Sequence, residues 1–330
     1  MHPKAAAILA AFQSSGDYIS GESICRALGI SRTAVWKHIS MLRGSGFEIA
    51  AVPSRGYRLV SCPDLLDSIT ITPHLKTGRI GRVLHCLATT ASTNSDAFRL
   101  AEGGAAEGTV VVADCQTEGK GRRGRVWSSP AGVNLYCSLI LRPDVMPQEA
   151  PRLTFLSAVA VVRAIGESTG LSARIKWPND VLLDGRKVAG LLNEMSAETD
   201  AVNFIVLGIG VNLNMTADQF PGDLRYPATS LMLSGGTQVD RARFAARLLN
   251  HFELLYDEYL HKGFAPIRKA WQELSNAAGC RIEVTEGETQ IACGMFAGID
   301  DDGALLISGA GGRVERILSG DVRVLDAAGH

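Results

Sequence analysis

Four cations crowd into seven consecutive positions in Gly119-Lys120-Gly121-Arg122-Arg123-Gly124-Arg125. The three glycines allow backbone paths that a Cβ would block, and arginine presents a planar fork matched to phosphate or carboxylate oxygens. The segment therefore suits a phosphate-bearing anion. It does not fit G-x-x-x-x-G-K-[ST], which excludes the ordinary P-loop. For the bare pattern, a solvated or nucleic-acid-binding loop is the competing reading.

Further segments add to this one. Lys176-Trp177-Pro178-Asn179-Asp180 places a lysine, an aromatic ring and a carboxylate at the end of a strand. Asp180 is a candidate ligand for Mg²⁺, which takes one or two carboxylates plus substrate phosphates; taken alone it is equally a turn-former before a hairpin. Lys187, on an otherwise apolar strand leading into Leu191 and Leu192, needs a partner, and an anionic substrate is one; a surface lysine beside a turn is the plain alternative. Ser92-Thr93-Asn94 offers polar side chains at a helix start, suited to a small polar ligand or simply to helix capping. Gly208-Ile209-Gly210-Val211-Asn212 lets backbone approach a ligand closely, although G-x-G alone is weak.

The elements that must carry these residues alternate between about 65 and 270. Strands are expected at Val83 to Leu87, Thr109 to Ala113, Asn134 to Leu141, Ile175 to Trp177, Val188 to Met195 and Phe204 to Leu213. Helices are expected at Asn94 to Glu102, Pro151 to Ser168 and Arg241 to His261. Short turns such as Asp184-Gly185 join neighbouring strands, so the sheet should be mixed and the domain α+β. From about Gly279 the pattern changes to five short strands, Arg281 to Glu286, Gln290 to Ile299, Ala304 to Ser308, Arg313 to Leu318 and Asp321 to Leu325, separated by turns as in a small β-barrel.

The first sixty residues read differently. Ala5, Ile8, Leu9 and Phe12 follow helical spacing until Ser14-Ser15-Gly16-Asp17. Ser20 can cap a second helix with Ile24 and Leu28 inward, stopped by Gly29. Ser31 can cap a third in which Val35, Ile39 and Leu42 are buried, leaving Arg32, Thr33, Trp36 and Lys37 outside. Two strands, Phe47 to Val52 and Tyr57 to Val60, turn through Pro53-Ser54-Arg55-Gly56. This is a winged helix-turn-helix, with a basic, hydroxyl-bearing helix suited to the major groove and Arg55 at the wing tip. Trp36 either faces outward or packs on the neighbouring domain. Ser61-Cys62-Pro63-Asp64 marks the first boundary.

Charge agrees with that division. The 330-residue chain has a net charge of −1, but residues 1–60 hold seven Lys/Arg against three acids, a net of +4 that leaves −5 for the rest. A basic module on a mildly acidic body suggests that one end meets a polyanion. Hydrophobic content of 46% with 20% charged residues fits a folded chain rather than a disordered one. Ala5 to Phe12 is far shorter than the ~20 residues that span a bilayer. Seven scattered cysteines without a C-x-x-C pair indicate neither a disulfide framework nor a zinc site, so the expected setting is the cytoplasm.

Together GKGRRGRVW, KWPNDV, RKVAGLL and GIGVNLN, in this order behind SRTAVWKHI and RGYRL, make the chain resemble the biotin protein ligases, and specifically the bifunctional bacterial members that repress biotin synthesis. The resemblance spans nearly the whole chain. It implies a winged helix-turn-helix at 1–62, a mixed α/β ligase domain at 63–277 and an SH3-like barrel at 278–330. It implies ATP, biotin and Mg²⁺ as ligands, biotinyl-5'-AMP as intermediate, and a lysine of a biotin carboxyl carrier protein as acceptor. Ser92, Thr93, Asn94, Gln116 and Lys187 would hold biotin. Gly119, Lys120, Gly121, Arg122, Arg123, Gly124, Arg125, Trp127, Lys176, Asn179 and Asn212 would hold the nucleotide, with Arg122 and Lys187 catalytic and Asp180 at the metal. Ser31, Arg32, Thr33, Trp36, Lys37 and Arg55 would meet operator DNA, as a ligand-promoted homodimer. Lys120 departs from the arginine common in the family loop, keeping charge but losing the fork. A lipoate-type ligase and a ligand-sensing transcription factor without catalysis are the alternatives.

Overall fold

A computed structural model of the chain describes residues 3–309 and 312–325; residues 1–2 and 326–330, at the outer ends of the expected first and third units, lie outside the described residues. Three helices come first, α1 (Pro3–Ser15), α2 (Gly21–Leu28) and α3 (Arg32–Gly44), then the antiparallel hairpin β1 (Glu48–Val52) and β2 (Gly56–Ser61). The caps are those the sequence offers: Ser20 Oγ accepts from Ser23 N at 3.0 Å, and Ser31 Oγ accepts from Ala34 N at 3.2 Å. Gly29 ends α2 at φ 62°, where a side chain would be strained. Val35, Ile39 and Leu42 join Ile8, Leu9 and Phe12 in one small core.

A short connector helix, α4 (Ser68–Ile71), follows. Ile69 packs into the small N-terminal core, whereas Leu66 and Ile71 belong to the large core beyond it. One turn of helix is thus shared by two cores.

The central unit comprises β3 (Leu84–Thr90), α5 (Thr93–Glu102), β4 (Val110–Gln116), β5 (Leu135–Leu141), α6 (Arg152–Thr169), β6 (Arg174–Lys176), β7 (Asp180–Leu183), β8 (Arg186–Ala197), β9 (Val202–Val211), α7 (Leu231–Gly235), α8 (Arg241–Lys262) and α9 (Ala265–Leu274). Its seven strands run in the order β3-β4-β5-β9-β8-β7-β6, with β3 and β4 parallel and all other neighbours antiparallel. Asp184 and Gly185 both have positive φ, 48° and 75°, the geometry of a tight hairpin turn. The sequence reading listed neither β7 nor α9. The first is only four residues long; the second has two buried anchors, Ile267 and Trp271, one turn apart. Such short runs carry too little periodicity to stand out.

Strand alternation divides the sheet into two faces. Val110, Val112, Leu139, Leu141, Ile205 and Leu207 share the large core with α6, α8 and α9, while Val111, Ile140, Phe204 and Val206 pack against Ala97 and Ala101 of α5. Because α5 is short, it leaves part of its face open, and that opening becomes the site.

The last unit is an antiparallel sheet of β10 (Arg281–Glu286), β11 (Thr289–Ile299), β12 (Leu305–Ser308), β13 (Val314–Ile317) and β14 (Asp321–Leu325), ordered β13-β12-β11-β10-β14. All five expected strands are present. Ile282, Val284, Leu305 and Ile307 are continuous with the central core, and Trp177 Nε1 donates to Gly303 O at 3.1 Å. No helix among the described residues is long and apolar enough to cross a membrane.

Gly303 sits at φ 81°, and a Cβ there would run into the Phe155 ring; Gly287, at φ 64°, has open space around it. Both Gly→Ala changes incur backbone strain, but Gly303→Ala adds overpacking worth about 1–3 kcal/mol. Its melting temperature should fall clearly further than that of Gly287→Ala; equal falls would show that the contact between the two units is loose.

Candidate active site

The open part of the α5 face is floored by two cross-strand rows. Ser138, Gly208 and Leu192 are register partners on β5, β9 and β8, and Tyr136, Gly210 and Gly190 form the next row. A Cβ on Gly208 would collide with the Asn94 amide; one on Gly210 would lie 2.7 Å from the Trp127 indole, and one on Gly190 2.8 Å from it. Two glycines at i and i+2 face the same side of a strand, so Gly208-Ile209-Gly210 is a floor that two flat groups can lie on.

Over this floor is a cavity of about 630 Å³. At one end, Thr93 N and Oγ1 donate to Gln116 Oε1 at 2.9 and 3.1 Å, and Gln116 Nε2 donates to Ser129 Oγ at 2.9 Å. Ser138 Oγ lies 2.6 Å from Asn94 Oδ1, whose Nδ2 donates to Glu194 at 2.7 Å. Ser92 occupies the cap position of α5 but makes no capping bond, so its hydroxyl is available to the cavity, and capping does not account for it. The other end holds the Trp127 indole, whose buried Nε1 has no acceptor among the described residues. Asn212, also lining the cavity, donates from Nδ2 to Thr229 O at 3.1 Å.

Cations are the other main constituent of the walls. Lys120, Arg122, Arg123, Arg125, Lys176, Lys187 and Arg225 line the cavity against Asp180, Asp223 and Asp321. Arg122 turns inward and donates to Asn179 Oδ1 at 3.1 Å. Burial, then the neighbouring Arg123, lowers its pKa, and burial likewise lowers that of Lys176. Both are desolvated cations for which an incoming anion supplies the missing charge. Lys176 Nζ lies 3.8 Å from the centre of the Tyr226 ring.

Not every expected residue lies where the reading of the loop put it. Arg123 pairs with Glu286 at 2.9 Å and Arg125 with Asp321 at 3.4 Å, both on the C-terminal unit, so only Arg122 of the loop's four cations points fully inward. Lys120 is exposed at the rim, while Gly119 and Gly124 do not line the cavity. Gly119 is needed because Trp127 carbonyl crosses it; Gly124 takes φ 72°. Lys187 already has a partner, Asp180 at 2.7 Å, where a substrate anion was expected. Sequence reasoning missed Arg225, Tyr226 and Asp321. The first two lie in an aperiodic loop, and Asp321, 2.8 Å from Arg225, was read only as the start of a strand.

On the N-terminal unit, Ser31, Arg32, Thr33, Trp36 and Lys37 are all exposed along α3 and its cap. Trp36 is 62% exposed, which settles its alternatives in favour of facing outward. Arg55 stands on the wing, 4.5 Å over the Tyr18 ring and 3.7 Å from Asp17, and Arg58 stacks on the same ring.

A mixed-sheet ligase-type domain with a cation-lined cavity, carried behind a winged helix-turn-helix, is the class of protein that fold and site define. Residues 78–212 match the biotin/lipoate A/B protein ligase family, residues 4–58 a helix-turn-helix domain and residues 279–325 the biotin protein ligase C-terminal domain. The chain is 43% identical to the bifunctional ligase/repressor BirA of Bacillus subtilis (strain 168), over 94% of its own length and 95% of that protein's. It is 31% identical to the bifunctional ligase/repressor BirA of Escherichia coli (strain K12), over 97% of each. The biotin protein ligase from Aquifex aeolicus, solved in complex with biotin and ATP, matches with a TM-score of 0.63 at 30% identity, covering 74% of this chain and 98% of that one. The chain belongs to the biotin protein ligase family, among its bifunctional ligase/repressor members.

Gly210→Ala should displace the Trp127 indole and cost about 1–3 kcal/mol. In a Trp127→Ala background the same change should be nearly neutral, which a double-mutant cycle on thermal or urea stability measures. Additive costs would mean that the indole does not rest on Gly210.

Proposed function

We propose that this chain activates biotin with ATP as biotinyl-5'-AMP and transfers it to a lysine of a biotin carboxyl carrier protein, and that its N-terminal unit makes it a biotin-responsive repressor of biotin synthesis. The observation that carries the ligase reading is the set of groups that line one cavity: amides and hydroxyls, cations of which Arg122 and Lys176 are desolvated, and an indole platform. Ser92, Thr93, Asn94 and Gln116 suit the polar ring of biotin. Trp127, Asn179 and Asn212, with the 119–125 loop, suit the adenylate. Arg122, Lys176 and Lys187, lining the same cavity, suit the carboxylate and the phosphate.

In the first step the biotin carboxylate attacks the α-phosphorus and pyrophosphate leaves. Two anions must be held together, and preorganised cations lower that barrier by facing the oxygens where charge gathers. Arg122 and Lys187 take this role. In the second step an acceptor amine attacks the carbonyl, AMP leaves and the amine gives up a proton. Between the steps, water must be kept from the mixed anhydride, and the 119–125 loop, tied to the C-terminal unit through Arg123 and Arg125, serves as the cover.

Among the described residues no cluster of three or more His, Cys, Asp or Glu is assembled, and Asp180 is paired with Lys187. That donor set fits Mg²⁺ only as an ion arriving on the nucleotide's phosphates, with Asp180 as its one protein carboxylate; when bound, it draws charge from the phosphoryl oxygens.

The units divide at 62/63 and 277/278 in this reading, with the last sheet an SH3-like barrel; the matched spans at 4–58 and 279–325 support that division. This reading includes a ligand-promoted homodimer on operator DNA; for the homodimer itself, the support is that β8 outruns β7, so that, among the described residues, 193–197 have a strand on one side only. A cytoplasmic setting goes with the carrier-protein acceptor and the promoter DNA of this reading.

Biotin-dependent exchange of pyrophosphate into ATP tests the ligase. Lys187→Ala should lose on the order of 10²-fold or more, the effect of removing one preorganised charge. Exchange with lipoate but not biotin would shift the reading to a lipoate ligase, and no exchange with either would leave a ligand sensor. For the DNA face, Lys37→Ala should lower affinity for the promoter of the biotin genes and reduce the salt dependence of binding by about one phosphate contact. An unchanged salt slope would remove Lys37 from the interface.

A further inference from the structure

The first residue of α8, Arg241, is 1% exposed. Its guanidinium reaches three segments at once. Nε donates to Asp64 Oδ1 and Nη2 to Asp64 O, both at 2.8 Å; Nη1 donates to Asp114 Oδ1 at 2.7 Å and to Asn134 O at 3.3 Å. A buried arginine is costly unless its charge and its N–H groups are answered, so these partners are needed together. The guanidinium is planar and rigid; a shift of one partner tilts the plane that holds the others.

Each partner leads elsewhere. Asp114 lies on β4, two residues before Gln116, and its Oδ2 also accepts from Gly132 N at 3.0 Å. Asn134 accepts from Leu213 N at 2.9 Å, and its Nδ2 lies 3.5 Å from Asn212 Oδ1. Through these two, Arg241 supports Gln116 at one end of the cavity and Asn212 at the other. Asp64 belongs to the connector between the N-terminal unit and the ligase domain. A few residues on, Leu66 and Ile71 are anchored in the ligase core and Ile69 in the N-terminal core, so a displacement of this connector moves the helix-turn-helix with it.

We propose that Arg241 is a positioning residue that supports both ends of the reaction cavity and, through Asp64, makes the placement of the DNA-binding unit depend on whether that cavity is filled. The inference rests on the ligase reading above. A ligand gripped between Gln116 and Asn212 draws β4 and the Asn134 segment to a fixed spacing; the guanidinium follows, and the connector follows the guanidinium. Because binding free energies are reciprocal, the same link lets the state of the DNA-binding unit alter affinity at the cavity.

Asp64→Ala is the informative substitution, since Asp64 is partly exposed and Arg241 keeps Asp114. Amide hydrogen exchange would be followed in the full chain with and without biotin plus MgATP. In the parent, both the 119–127 loop and the connector at 62–71 should exchange more slowly when the ligands are present, the connector by about fivefold or more. In Asp64→Ala the loop should keep its protection while the connector loses its ligand response, and Asp64→Glu should restore part of it. A connector that responds equally in parent and Asp64→Ala overturns the proposal, as does a parent whose connector ignores the ligands while its loop responds. A parent loop indifferent to both ligands fails the ligase reading instead. Thermal melting of each variant separates loss of coupling from loss of folding.

Discussion

Repulsion among like charges in a partly dry cavity is the constraint on which the rest of the site depends. Seven cations and three carboxylates line one space, and the carboxylates are distributed so that some cations are answered and others are not. Lys187 has Asp180, Arg123 has Glu286, and Arg125 and Arg225 share Asp321. Lys120, Arg122 and Lys176 have no carboxylate at ion-pair distance among the described residues; Lys120 is exposed at the rim, whereas burial lowers the pKa of Arg122 and Lys176. Arg123, Arg125 and Arg225 hold the walls in place; the desolvated Arg122 and Lys176 mark where an anion gains most, beside Lys187 with its charge shared with Asp180. Preorganised charge of this kind is already in place before substrate arrives, so no reorganisation is required at the moment of reaction.

That arrangement requires the C-terminal unit. Glu286 and Asp321 come from its first and last strands, and its core runs without a break into that of the central domain. Its part in the site is therefore to supply counter-charges that hold the basic loop and the Arg225 segment over the opening. The loop's own sequence, with three glycines, favours mobility; the ion pairs favour closure. At partly exposed positions each such pair is worth little alone, so the loop is held without being locked.

The floor shows how little of a site needs to be chemically distinctive. Gly190, Gly208 and Gly210 contribute only the absence of a side chain, but strand register brings them side by side, so the Asn94 amide and the Trp127 indole can lie on bare backbone. The end groups of the cavity are thus placed by sheet geometry, while the short α5 leaves that part of the face uncovered.

The sequence by itself determined the local structure and the inventory. Caps at Ser20 and Ser31, the stop at Gly29, the stripe Val35-Ile39-Leu42, the Asp184-Gly185 turn and the five C-terminal strands depend on interactions within a few residues, and all were legible. So were the motifs, because their residue types carry the chemistry wherever the chain puts them. Only the tertiary structure decided which of the loop's cations turn inward, that Lys187 is matched by Asp180, and that Asp321 closes on Arg125 from 196 residues away. It likewise revealed that Gly208 and Gly210 form a floor and that Arg241 joins Asp64 to Asp114. These are matters of register and of long-range charge pairing, set by how a seven-stranded sheet is ordered and what packs across it. No periodicity in the chain encodes that order.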